Sequence, residues 1–308
     1  MNKKHNFQKT FGLMSEEPLS RYTSFRVGGP ADLLALPSNR QTLISLLEAA
    51  RRENLPVTII GGGTNTLVSD KGIRGLVIVL TALKSQPGVL ENPATDTAHQ
   101  DKKTIRADAG ERLSTICQFA MDQELSGLEF AAGIPGTLGG AIMMNAGTSA
   151  WEISQVVTAV EVIDTKNAIC QTIERKDLEF SYRKLSLSDK IIVGAHLTLT
   201  KGDPGMIKHT FAQTLKNKKE TQPISLASAG CFFKNPSPDM PAGKLIEDAG
   251  LKGTQINGAK ISDLHANFII NIDNARCEDI LALKRLIQKT VFEKYHITLE
   301  TEVKVTGE

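Results

Sequence analysis

The sequence predicts an α+β protein, and three observations lead there. Helical spacings of apolar residues and short β-type apolar runs follow one another along the chain. Two glycine-rich stretches lie in its first part and do not form a Rossmann-type motif. A polar, basic segment then leads into a final region of helices and a strand.

In chain order, residues 39–54 have helical spacing, with Leu43, Leu46, Leu47 and Ala50 on one side. Pro56 opens the β-type run VTII, which ends at Gly61, Gly62 and Gly63. A second β-type run, GLVIVL, covers 75–80. Residues 84–103 are polar, contain Pro87 and Pro93, and predict a surface loop. Residues 111–125 return to helical spacing through Leu113, Ile116, Cys117, Ala120 and Met121, which makes Cys117 a core residue. Runs at 156–164 and 191–200 read as strands, and 205–220 as a basic helix. A short helix at 241–249 is stopped by Gly250. A longer one at 277–296 carries Ile280, Leu283, Ile287 and Val291 on one face. The closing ITLETEVKV predicts a strand with Ile297, Leu299, Val303 and Val305 on one face and Glu300, Glu302 and Lys304 on the other. The change of composition near 201–210 divides the chain into 1–203, itself in two lobes split near 81–104, and a smaller region, 204–308.

The 308 residues are 41% hydrophobic and 23% charged, an ordinary globular balance, and suffice for two or three domains. The net charge of +2 is too small to argue for nucleic acid. No apolar run approaches the roughly 18 residues of a membrane span, and the basic start MNKKHNFQKTFG lacks the apolar segment of a signal peptide. Cys117, Cys170, Cys231 and Cys277 include no CxxC pair, so neither zinc nor a redox dithiol is indicated and a reducing cytoplasm is expected.

The first glycine stretch is IIGGGTNTLVSDKG, 59–72. The backbone N–H groups of Gly61, Gly62, Gly63, Thr64 and Asn65 can form an anion-binding nest, the alternative being a tight turn. The second, GLEFAAGIPGTLGGAIMMNAG (127–147), is poor in charge and lets another molecule lie against its backbone, the alternative being a buried loop and a tightly packed helix. Together they suggest a clamp on a pyrophosphate-bearing cofactor. In SAGCFFKNP (228–236), Cys231 follows three small residues and serves either packing or chemistry.

The segments RYTSFRVGGPADLL (21–34), GGGTN, GLEFAAGIPGTLGGAIMMNAG, FSYR (180–183), SAGCFFKNP, AGKLIEDAGLKG (242–253), HANFIIN (265–271) and LETEV (299–303) occur in the order found in one family. The chain resembles the UDP-N-acetylenolpyruvylglucosamine reductases (MurB), of their shorter type. The resemblance implies a two-part FAD-binding half of the vanillyl-alcohol-oxidase (PCMH) type and a smaller α+β substrate domain. It implies FAD, reduced by NADPH, as the source of hydride for C3 of the enolpyruvyl group. C2 would take a proton, giving UDP-N-acetylmuramate for peptidoglycan synthesis. The FAD would contact Gly61, Gly62, Gly63, Thr64, Asn65, Gly133, Ile134, Pro135, Gly136, Gly139, Gly140 and Asn145. With no histidine near either glycine stretch to tether it, the FAD is expected to be non-covalent.

Three residues match the family's catalytic positions. Arg183 of FSYR would stabilise charge developing at the enolpyruvyl group. Glu302 would sit beside the same enolate-like state. Cys231 stands where the family more usually has serine, as proton donor to C2; a thiol, with an ordinary pKa of about 8.5, is the stronger acid of the two. Tyr182, Lys234 and Asn235 would meet the substrate's diphosphate and sugar. His265 is expected to be structural. The expected partners are the UDP-sugar and NADPH, with no nucleic acid and no membrane insertion, and no protein partner is indicated. Another flavin oxidase or dehydrogenase of the same fold and a non-catalytic nucleotide-binding relative are the alternatives.

Overall fold

The computed structural model describes residues 9–90, 101–148 and 150–308. These form two compact units built from interleaved segments, the first from Ala35–Gly62 and Ile78–Asn217, the second from 9–34, Gly63–Val77 and Lys218–Glu308.

The first unit is organised by a six-stranded sheet around the long strand Lys190–Lys201. Val157–Asp164 and Lys102–Asp108 flank it antiparallel, with Cys170–Glu174 and Gly88–Leu90 beyond them, and Leu125–Ser126 pairs near its end. The helix Leu113–Asp122 lays Leu113, Ile116, Cys117 and Ala120 into a core that includes Ile105, Ala107, Leu197 and Leu199. Each fully buried Leu or Ile is worth roughly 1.5–3 kcal/mol, so the apolar stripe is what fixes this helix, and Cys117 belongs to it. The helix Arg40–Arg52 starts where the Asn39 carboxamide oxygen accepts the Thr42 N–H at 2.9 Å, and it buries the predicted Leu43, Leu46, Leu47 and Ala50.

One expectation changes here, and one strand is added. The segment 84–103 is not wholly a loop: Gly88–Leu90 pairs with Lys102–Asp108, while 91–100 lies outside the described residues. The strand Lys102–Asp108 had no clear apolar alternation because only Ile105 and Ala107 are core residues. Arg106 and Asp108 are instead held by an ion cluster.

In the second unit, Met14–Pro18 pairs antiparallel with Pro30–Ala35, which has Ile73–Val79 on its other side. A three-stranded meander, Gln255–Ile256, Ala259–Ile261 and Ile269–Asn271, packs with the helix Cys277–Tyr295. That helix buries Ile280, Leu283, Ile287 and Val291 completely, as its spacing predicts. Its first turn is capped by Asp70, whose carboxylate accepts the N–H groups of Cys277 at 2.8 Å and Glu278 at 3.2 Å. The short helix Ala242–Asp248 ends before Gly250, which has φ +76°.

The closing strand is shorter than predicted. Only Lys304–Thr306 is strand, paired parallel with Thr66–Val68. Leu299 and Val303 are buried, but Val305 is 45% exposed, so the expected alternation breaks at the start of the paired segment. Among the described residues, no helix is long and apolar enough to cross a membrane.

Candidate active site

In the first unit the two glycine stretches meet. The strand Val57–Ile60 delivers Gly61 and Gly62 to the turn that precedes the helix Leu138–Met143. A Cβ on Gly61 would stand 2.9 Å from Thr137 Oγ1, and one on Gly62 would stand 3.1 Å from the Gly136 Cα. A side chain would crowd the Thr137 hydroxyl at the first position and backbone at the second. Gly133 and Gly136 have φ of +74° and +115°. Gly139 is a packing residue: its N–H donates to the Ala109 carbonyl at 2.9 Å, and a Cβ there would stand 2.9 Å from the Ala109 Cβ. The Ile134 N–H donates to the Ala131 carbonyl at 2.9 Å, while Gly140 lies beside Thr137 and Pro135 shapes the turn between Gly133 and Gly136.

Thr137 is a residue that sequence reasoning missed. Its hydroxyl is buried without a hydrogen-bond partner among the described residues. Such an orphan costs about 1–3 kcal/mol, and a ligand oxygen or ring nitrogen would relieve it. Its position inside GIPGTLGG was the available signal.

Arg183 also lies in the first unit, on the two-residue loop of the hairpin Glu179–Ser181/Lys184–Ser186. Its φ is +55°, a conformation costing a non-glycine residue about 1–2 kcal/mol. The side chain is tied down on several sides. Nη2 donates to the Gly147 carbonyl at 3.1 Å, Nη1 donates to Glu152 Oε1 at 3.4 Å, and the guanidinium lies 4.9 Å from the centre of the Tyr182 ring. Tyr182 itself is 45% exposed. Asn145 stands behind this arrangement with its side chain spent inside the protein. Its Nδ2 donates to Glu152 Oε2 at 2.6 Å and to the Ser181 carbonyl at 3.0 Å, and its Oδ1 accepts the Ser154 N–H at 3.2 Å.

Cys231 and Glu302 lie in the second unit and are brought together by main-chain pairing. The Glu302 N–H donates to the Phe232 carbonyl at 2.9 Å, and the Lys234 N–H donates to the Glu300 carbonyl at 2.9 Å. Glu302 therefore precedes the final strand rather than lying on its polar face. Asn65 joins them: its Nδ2 donates to the Glu302 carbonyl at 3.1 Å, and its own carbonyl accepts the Lys304 N–H at 3.0 Å. Gly63 is obligatory, because its φ is +63° and a Cβ there would collide with the Tyr22 carbonyl. Thr64, between them, is half-buried.

The Cys231 segment is anchored from below. Phe232 and Phe233 are fully buried with Phe25. Asn267, another residue missed from the sequence, is 2% exposed and clasps Phe233, accepting its N–H at 2.9 Å and donating to its carbonyl at 2.8 Å. Cys231, left half-buried at the end of this clasp, is not part of the core. The expected substrate residues are partly engaged within the protein. Lys234 Nζ pairs with the exposed Glu300 at 2.6 Å, and the Asn235 carboxamide oxygen accepts the Ala242 N–H at 3.0 Å, capping a helix.

Cys117, Cys277 and His265 behave as structural groups, and Cys170 is exposed. Burial, helped by the charge of Asp70, pushes the Cys277 thiol up to about 11. Burial also lowers His265 below its ordinary value; its Nδ1 accepts the Asn267 N–H at 3.2 Å.

Residues 222–306 match the family model described as UDP-N-acetylenolpyruvoylglucosamine reductase, C-terminal domain, and residues 31–172 match the one described as FAD binding domain. The UDP-N-acetylenolpyruvoylglucosamine reductase of Caldanaerobacter subterraneus is 46% identical over 298 residues, covering 96% of this chain and 94% of its own length. The protein of that name from Levilactobacillus brevis is 43% identical, covering 96% and 93%. The crystal structure of UDP-N-acetylenolpyruvylglucosamine reductase (MurB) from Thermus caldophilus superimposes with a TM-score of 0.77 at 33% identity, covering 94% of this chain and 97% of that one. This protein belongs to the UDP-N-acetylenolpyruvoylglucosamine reductase family.

Proposed function

We propose that this protein reduces UDP-N-acetylenolpyruvylglucosamine to UDP-N-acetylmuramate, using NADPH and non-covalent FAD, as a step of peptidoglycan precursor synthesis. Family membership over nearly the whole chain supports it. The carrying observation within the chain is the pairing of the Cys231 segment with the Glu302 segment, which sets a proton donor and a carboxylate on adjacent backbone.

The residues present fit FAD. Both glycine stretches fall within the matched FAD binding domain, and the unpartnered Thr137 hydroxyl beside Gly61 is suited to one of its polar atoms. Gly61, Gly62, Gly136, Gly140 and Thr137 would hold it, with Gly63, Thr64 and Asn65 continuing the turn. Bound FAD supplies the redox chemistry, taking a hydride from NADPH and delivering one to C3 of the enolpyruvyl group.

The chain's own residues then manage charge and proton. As C3 gains hydride, negative charge moves towards C2 and the carboxylate. Arg183, already oriented by Gly147 and Glu152, stabilises it without reorganising. The Cys231 thiol gives its proton to C2, closing the C2–H bond, and the thiolate recovers a proton from water. Glu302, carrying a proton, would donate a hydrogen bond to the enolate-like substrate. Tyr182, Lys234 and Asn235 are assigned to the UDP-sugar, with the Lys234–Glu300 pair, exposed on its Glu300 side, opening to admit phosphate. We assign 1–203 to FAD binding and 204–308 to substrate binding. Among the described residues no disulfide joins two cysteines, which supports a reducing cytoplasm, where the product would feed the wall synthesis that sets cell shape and division.

Stopped-flow absorbance of the two half-reactions tests this. Arg183→Ala and Glu302→Ala should slow reoxidation by the enolpyruvyl substrate about 10²–10³-fold and leave reduction by NADPH near wild type. Equal damage to both halves would refute the assigned roles. Fast reoxidation by air with peroxide release, and none by the substrate, would instead make the protein an oxidase.

A further inference from the structure

We infer that Glu152, itself held by Asn145, is a positioning residue for Arg183, and that the pair sets the rate of the substrate-reducing step. The inference rests on the assignment of Arg183 above. The hairpin loop puts Arg183 at φ +55°, so its backbone does not by itself favour the observed placement. What holds the guanidinium includes the Gly147 carbonyl and Glu152 Oε1. Gly147 and Glu152 are bridged to one another, so the two acceptors stand side by side. A Cβ on Gly147 would stand 2.7 Å from the Glu152 Cα, so this approach requires glycine.

The second Glu152 oxygen is occupied by Asn145 Nδ2 at 2.6 Å. Asn145 is 1% exposed and also binds the Ser181 carbonyl, at the base of the Arg183 loop. One carboxamide therefore links the carboxylate that orients Arg183 to the strand that carries it. Glu152 serves Asn145, Arg183 and, as the cap of the turn Ile153–Gln155, the Gln155 backbone N–H, and a carboxylate can accept from all three. A glutamine side chain has one carbonyl oxygen, and its NH₂ would face a donor on the other side. The negative charge thus has a stated task, which is to accept on both oxygens.

The test is a double-mutant cycle of Glu152→Gln with Arg183→Lys, read in both half-reactions. Glu152→Gln should slow substrate-driven reoxidation about tenfold, the range of a coupled contact, and leave NADPH reduction unchanged. In the Arg183→Lys background the same substitution should cost less than about twofold. Glu152→Asp, which keeps the charge, should recover part of the loss. A second readout needs no turnover: in arginine-labelled protein the Arg183 Nε–H resonance, assigned by its disappearance in Arg183→Lys, should shift in Glu152→Gln.

Several results would overturn the inference. One is full activity with an unmoved resonance in Glu152→Gln. Another is equal loss in both Arg183 backgrounds. A third is equal slowing of both half-reactions with a lowered melting temperature, which would make Glu152 merely structural. If Arg183→Lys and Arg183→Ala were themselves fully active, the assignment of Arg183 would fail first, a result separable from all of these.

Discussion

Replacing Glu161 by glutamine should destabilise the first unit at neutral pH and not at low pH. Glu161 lies on the strand Val157–Asp164 at the centre of an ion cluster. Its Oε2 faces Arg40 Nη2, and Arg106 Nη2 at 2.9 Å; its Oε1 faces Arg106 Nε at 3.2 Å and His196 Nε2 at 3.0 Å. Asp108 shares both arginines and accepts from Ser85 at 2.5 Å. Burial alone would raise the Glu161 pKa, but hydrogen bonds from Arg106 and Arg40 outweigh it and hold the group at about 2, against an ordinary 4.5. At 1.36 kcal/mol per unit that depression corresponds to about 3 kcal/mol. The site is partly open to water, with 14% of the Glu161 side chain and 33% of Arg40 exposed, so screening reduces this to about 1–2 kcal/mol.

The folded value lies below the unfolded one. The stabilisation is therefore complete above about pH 4.5 and is lost as the pH falls towards about 2. Urea unfolding followed by circular dichroism, for wild type and Glu161→Gln between pH 7 and 3, should show a gap of about 1–2 kcal/mol at pH 7. That gap should narrow as the pH drops below 4.5, where the carboxyl takes up a proton in the unfolded chain while it stays ionised in the folded one. A gap independent of pH, or a variant as stable as wild type at pH 7, would refute the reasoning.

Acid precipitation should release all yellow chromophore into the supernatant, since no histidine lies near the glycine stretches to hold FAD covalently; chromophore retained in the pellet would contradict this. Cys231→Ser should remain clearly active in turnover assays, whereas Cys231→Ala should still be reduced by NADPH and lose about 10²–10³-fold in reoxidation by substrate, the scale of a general acid; a fully active alanine variant would return Cys231 to a packing role. Gly63→Ala should lower both melting temperature and bound FAD, because it adds an unfavourable φ to a collision with the Tyr22 backbone; unchanged flavin content and stability would refute that.

The helices were legible in the sequence because each carries its own apolar stripe. Leu43, Leu46, Leu47 and Ala50, and later Ile280, Leu283, Ile287 and Val291, bury where their spacing says. Periodicity of this kind is local and survives without knowledge of partners. The glycine stretches and the motifs around Arg183, Cys231 and Glu302 were legible as patterns of residue type. What they touch was not. Lys304–Thr306 acquires strand structure from Thr66–Val68, far away in the chain, so the alternation read across 297–305 continued past its true register. Lys102–Asp108 hid because Arg106 and Asp108 serve an ion cluster assembled with Arg40, Glu161 and His196 from separate segments. Asn267, Asn145 and Glu152 carry no sequence signal of the contacts they make, and Thr137 carries only its place in GIPGTLGG. A threonine becomes an orphaned donor, and an asparagine a clasp, only when burial removes water and leaves one neighbour in reach. Sequence alone determined which chemical groups are available; which of them face one another was decided by long-range backbone pairing and desolvation, which no local pattern encodes.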